Sequence, residues 1–173
     1  MKIRSTILKM ISVVLTTVIF TACMLPKYSF TGAVPMPGVK TFTVYDFPNR
    51  AKLVNPNLSQ LVKDGLQEKM TRQTTYNQIR DNGDLEFSGQ ISEYDVKPMN
   101  IQSGDLASQN RLTIAVKVKY TNNKNHGEDW EETFRQYEDF NSNSSLDQVE
   151  DQLVPEIIKK LTEEIFNKSI ANW

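Results

Sequence analysis

The run RLTIAVKVKY, residues 111–120, decides the fold. Leu112, Ile114, Val116, Val118 and Tyr120 alternate with Arg111, Thr113, Ala115, Lys117 and Lys119, a period of two that suits a half-buried strand and no helix. Asn122 to Gly127 then reads as a hairpin loop and Trp130 to Phe140 as the returning, less regular strand. Upstream, Leu85, Phe87, Gly89 and Ile91 alternate with Glu86, Ser88 and Gln90, but the apolar phase then jumps to Tyr94 and Val96. A one-residue slip would turn the core face outward. A bulge near Ser92-Glu93 restores it.

Two helical stretches flank these strands. Asn55-Pro56 offers an N-cap followed by proline at the first helical position, after which Leu58, Leu61, Val62, Leu66 and Met70 recur at helical spacing, with Gly65 a close packing point. Ser145 and Gln148 form a capping box ahead of Leu146, Val149, Leu153, Ile157, Leu161 and Ile165, and Pro155 is expected to kink this second helix. Lys40 to Phe47, rich in Thr, Val and aromatic residues and ended by Pro48-Asn49, is a strand with apolar groups on both faces. The order is therefore β-α-β-β-β-α. A right-handed crossover makes the first two strands parallel and the rest follow as antiparallel hairpins. The expected fold is an α/β (α+β) two-layer sandwich, with two helices on one face of a four-stranded mixed sheet. Leu112, Val116 and Leu161 belong to its core, and Glu86, Ser88, Gln90, Thr113, Lys117, Lys119, Thr133 and Arg135 to a polar outer face.

The N-terminus has a different character. Lys2, Arg4 and Lys9 precede an uncharged stretch from Met10 to Phe20, then small residues and Cys23, the only cysteine of 173 residues. This is the n-region, h-region and cleavage-site order of a secretory signal, and the apolar run of about 11 residues is too short to span a bilayer. A lone cysteine in an exported chain cannot form an internal disulfide, and lipidation at a lipoprotein cleavage site accounts for it. An ordinary secretory peptide with an incidental cysteine is the alternative, since Phe20 stands where leucine is commoner. On the lipoprotein reading, residues 1–22 are the signal peptide, 23–39 a Pro- and Gly-rich lipidated tether, and 40–173 the folded domain. Cys23 would then carry covalent diacylglycerol and an N-acyl chain, and no other cofactor is expected.

Composition narrows the function. Three of the 20 basic residues leave with the signal, so 17 face 21 acidic ones and the mature chain carries −4. That balance gives no general electrostatic reason to bind nucleic acid. The single histidine, His126, lies in the hairpin tip with no second histidine or free thiol to complete a zinc set or nucleophile pair. The adjacent acidic pairs Glu131-Glu132, Glu138-Asp139, Glu150-Asp151 and Glu163-Glu164 read as solvated, because neighbours on a strand point to opposite faces and on a helix usually meet solvent. No metal site and no catalytic set emerges, and the chain reads as no enzyme. Arg111, Lys117 and Lys119 share one strand face, with the last two roughly 7 Å apart. Such a row could engage lipid phosphates, and beside Glu86 and Glu131 it also reads as a solvated face.

Several segments carry a resemblance. Tyr28-Ser-Phe-Thr-Gly-Ala33, Phe47-Pro-Asn-Arg-Ala51, Leu53-Val-Asn-Pro56, Leu58-Ser-Gln60, Asn110-Arg-Leu-Thr-Ile114, Tyr137-Glu-Asp-Phe140 and the ending Ile165-Phe-Asn-Lys-Ser-Ile-Ala-Asn-Trp173 resemble the lipopolysaccharide-assembly lipoprotein family LptE. The resemblance implies two helices on a four-stranded sheet, lipid attachment at Cys23, and retention at the periplasmic side of the Gram-negative outer membrane. It also implies partnership with the LptD β-barrel as a plug in its lumen, delivering lipopolysaccharide to the outer leaflet. Arg111, Lys117 and Lys119 as lipopolysaccharide contacts rest on the strand-face argument alone. The competing reading is a ligand-binding lipoprotein without a barrel partner.

Overall fold

The alternating run forms the spine of the sheet in the computed structural model, which describes residues 36–99 and 108–171. The strands are β1 (Thr41–Val44), β2 (Asn77–Gln78), β3 (Leu85–Met99), β4 (Gln109–Asn122) and β5 (Trp130–Asn141), and the helices are α1 (Leu58–Gln73) and α2 (Leu146–Phe166). Their order across the sheet is β2-β1-β3-β4-β5. β4 is antiparallel to both neighbours, and β1 is parallel to β3, as the crossover rule requires. Leu112, Val116 and Leu161 are fully buried in one core that both helices share with the sheet.

Among the described residues the sheet has five strands and not four. β2 is two exposed residues, parallel to β1 and bonded through Asn77 N–H to Lys40 O (2.9 Å) and Ile79 N–H to Phe42 O (2.9 Å). So short a strand has no apolar alternation to betray it. β1 is also shorter than expected, yet the chain keeps to the edge of β3 beyond it. Tyr45 N–H donates to Phe87 O (2.9 Å), Ile91 N–H to Pro48 O (3.0 Å) and Arg50 N–H to Ile91 O (2.9 Å). Proline has no N–H to give, so Pro48 interrupts the ladder without ending the association.

The bulge falls where the apolar phase jumps. Ile91 faces Val116 and Glu93 faces Ala115, leaving Ser92 as the extra residue. Past that point β3 has no neighbour on the β1 side among the described residues, and its free edge is blunted. Asp95 Oδ1 accepts from Val96 N–H (3.0 Å), and Pro98 offers no donor.

α1 begins two residues later than the Asn55-Pro56 reading. The Asn55 side chain is engaged elsewhere: Oδ1 accepts from Asn57 N–H (2.8 Å) and Nδ2 donates to Glu150 Oε1 (2.8 Å). Leu58, Val62, Leu66 and Met70 form its buried stripe, and a Cβ at Gly65 would lie 3.1 Å from Ile158 Cγ2, so the helices meet closely there. Gln148 Oε1 accepts from Ser145 N–H (3.1 Å) at the start of α2, which continues through Pro155 to Phe166 and ends in a widened π turn, Asn167–Ala171. Met36 and Val39, on the tether side of the expected boundary, pack on the domain, and Met36 N–H donates to Tyr76 Oη (2.9 Å).

Asp84 ties the start of β1 to the β4–β5 hairpin. Its Oδ2 accepts from Lys40 N–H (2.8 Å) and Thr41 N–H (3.0 Å), and Oδ1 lies 2.9 Å from Lys124 Nζ. The Lys124 ammonium, then the Lys40 N–H, hold its carboxyl well below the usual carboxylate range. A depressed folded pKa contributes stability that is present above the unfolded value of about 4 and is lost as pH falls toward the folded one. Asp84→Asn is therefore expected to cost about 1 to 3 kcal/mol at pH 7. The gap to the unaltered protein should narrow in urea titrations repeated at about pH 3. An equal gap at both values would remove the carboxylate from this account.

Candidate functional site: the outer sheet face

The face of β3, β4 and β5 turned away from the helices is built by the pleat. From β4 it takes Arg111, Thr113, Ala115, Lys117 and Lys119, flanked by Glu93, Asp95 and Lys97 of β3 and by Glu131, Thr133, Arg135, Tyr137 and Asp139 of β5. Lys117 and Lys119 are exposed and adjacent, whereas Arg111 lies six residues away, roughly 20 Å along the strand. The three predicted cations thus share a face without forming one cluster.

Most of the charge on this face is compensated across the strands. Arg111 binds Asp139 through two bonds, Nε to Oδ1 (2.7 Å) and Nη2 to Oδ2 (2.9 Å), and its guanidinium stands 3.6 Å from the Tyr137 ring centroid. The pair holds the Asp139 carboxyl below its ordinary value and raises the guanidinium further. Lys117 pairs with Glu131, diagonal to its own register partner Thr133, and the Glu131 carboxyl is lowered in consequence. Arg135 Nη2 reaches Glu93 Oε2 (2.7 Å) across Ala115, which is fully buried beneath them. Lys97 lies 3.3 Å from Glu93 and 3.4 Å from Asp95. Among the described residues Lys119 enters no ion pair, so it is the cation of the β4 row most available to an anion.

Sequence periodicity located the row and placed Glu131 beside it, but Asp139 and Glu93 reach it only through strand register. His126 stays at the exposed hairpin tip, with Nδ1 3.1 Å from Asp129 Oδ2. Among the described residues no group of three acidic, histidine or cysteine side chains could hold a metal ion. A groove of about 470 Å³ runs along the outer seam of α1 and α2, where Leu61, Gly65, Pro155 and Ile158 meet the Lys69–Glu163 ion pair. Cys23 lies outside the described residues.

In sequence, residues 39–169 match the family described as LptE: Lipopolysaccharide-assembly. No curated protein matches the chain. Among solved structures the fold is similar to a minor lipoprotein from Acinetobacter baumannii, at 15% identity and a TM-score of 0.53, covering 78% of this chain and 94% of that one. It is also similar to the hypothetical protein CT253 from Chlamydia trachomatis, at 10% identity and a TM-score of 0.52, covering 75% and 95%. At these identities the likeness concerns the fold alone.

Proposed function

The chain belongs to the LptE lipopolysaccharide-assembly family, and from that premise we propose that it is a non-enzymatic assembly factor of the Gram-negative outer membrane. It is anchored through diacylglycerol and an N-acyl chain on Cys23, faces the periplasm, and seats its domain as a plug in the lumen of the LptD β-barrel. The family match over residues 39–169 carries this reading. The outer sheet face supports it physically. A plug meets a polar, hydrated barrel interior, and a face with five cations and, with Glu86 of β3 included, five carboxylates, largely paired, stays hydrated without a strong field of either sign.

Lipopolysaccharide phosphates are contacted by the β4 row, with Lys119 and Lys117 as the principal donors and Arg111, held by Asp139, a weaker one. Changing Arg111, Lys117 and Lys119 together to Ser removes three cations from a surface that the core does not use. Binding of purified lipopolysaccharide is expected to weaken roughly threefold to tenfold, with a flatter salt dependence. The circular dichroism spectrum should not change. Unaltered lipid binding in a folded triple variant would return the row to a solvated face.

A further inference from the structure

An amphiphile needs apolar contact beside its phosphate contact, and the outer sheet face offers little of it. The described residues present that combination at the loop after β1. Leu53 is 40% exposed and its neighbour Val54 is 76% exposed, the largest value among the exposed large hydrophobic side chains. Arg50 and Lys52 are exposed beside them, and neither enters an ion pair among the described residues. This differs from the paired cations of Arg111, Lys117 and Arg135.

The loop is held in place by its asparagines. Asn49 Oδ1 accepts from Ala51 N–H (2.8 Å) while its Nδ2 donates to Leu53 O (3.3 Å). Asn55 then fastens the far end to Glu150 of α2, whose carboxylate also accepts from Tyr94 Oη of β3. Leu53 and Val54 are thus presented to water by a braced backbone. Asn49 bridges to Ile91 at the sheet edge and Ile91 is opposite Val116, so Arg50, the next residue, lies about two strand spacings, roughly 10 Å, across the sheet from β4 near Lys117. One phosphorylated headgroup can span that distance.

We propose that Arg50–Val54 is a lipopolysaccharide-binding element, with Arg50 and Lys52 taking phosphate and Leu53 and Val54 an acyl chain. The proposal rests on the lipopolysaccharide reading above. Two small side chains are too little to seat a domain on a bilayer, and unpaired cations next to apolar groups match a single anionic amphiphile.

The test uses the full-length protein in detergent with purified lipopolysaccharide as probe, phosphatidylglycerol offered in the same detergent, and two double variants, Leu53→Ser with Val54→Ser and Arg50→Ser with Lys52→Ser. All four positions are exposed, so both variants should keep the parent circular dichroism spectrum. Each is expected to bind lipopolysaccharide about tenfold more weakly, and the cation pair should also flatten the salt dependence. Binding of phosphatidylglycerol and recovery of a barrel partner should not change. If the unaltered protein fails to bind lipopolysaccharide, the parent reading falls and this one with it. If it binds and both variants bind equally well, only the loop assignment is overturned. Equal losses toward phosphatidylglycerol would make the loop a general lipid contact, and loss of the barrel with lipid binding intact would make it a protein contact; either overturns the proposal.

Discussion

Gly89→Ala is expected to cost the domain about 3 kcal/mol or more, through a clash that no side chain can relieve. Gly89 sits in the middle of β3 opposite Val118. A Cβ there would stand 2.0 Å from the Lys117 carbonyl oxygen and 3.1 Å from Phe47 Cε1. The nearer atom is backbone, so accommodation requires the β3–β4 ladder to part beside the bulge. For a domain of this size the thermal midpoint should fall by roughly 10 °C. An alanine variant with an unchanged midpoint would mean that β3 and β4 do not meet in this register.

Leu161→Ala tests the other layer, where α2 packs on the sheet. Leu161 is fully buried with Ile157, Ile158 and Ile165 on the same helix. Truncation loses the transfer free energy of its methyl groups and leaves a cavity, together about 2 to 4 kcal/mol. Lys159, exposed on the same helix, supplies the internal contrast. Its change to alanine should stay within about 0.5 kcal/mol. Both follow from urea unfolding midpoints at constant m-value. Equal, small effects at the two positions would place Leu161 in water and undo the layering.

The frame was legible because it rests on period. The strict alternation from Arg111 to Tyr120 placed β4, the phase jump after Ile91 placed the bulge, and the stripes of α1 and α2 assigned the helices to one face. Features decided by single hydrogen bonds were not legible. β2 exists because two parallel bonds reach β1, and the start of α1 moved because Glu150, distant in sequence, takes the Asn55 amide. The site shows the same division more sharply. Alternation put Arg111, Lys117 and Lys119 on one face, but the neutralisation of Arg111 by Asp139 and of Lys117 by Glu131 depends on register with β5. The exposure of Leu53 and Val54 could not be read at all, since two apolar residues before Asn55-Pro56 look the same whether buried or presented.

The account stands on partnership with a barrel, and extraction of the full-length protein from membranes in mild detergent measures that partnership. Affinity purification of the tagged chain is predicted to recover a large outer-membrane β-barrel in near one-to-one amount, including from the Arg111, Lys117 and Lys119 triple Ser variant, whose changes remove the proposed lipid contacts. Recovery of the folded chain without any barrel, under conditions that keep outer-membrane barrels intact, would contradict the plug reading and favour a ligand-binding lipoprotein that works on its own.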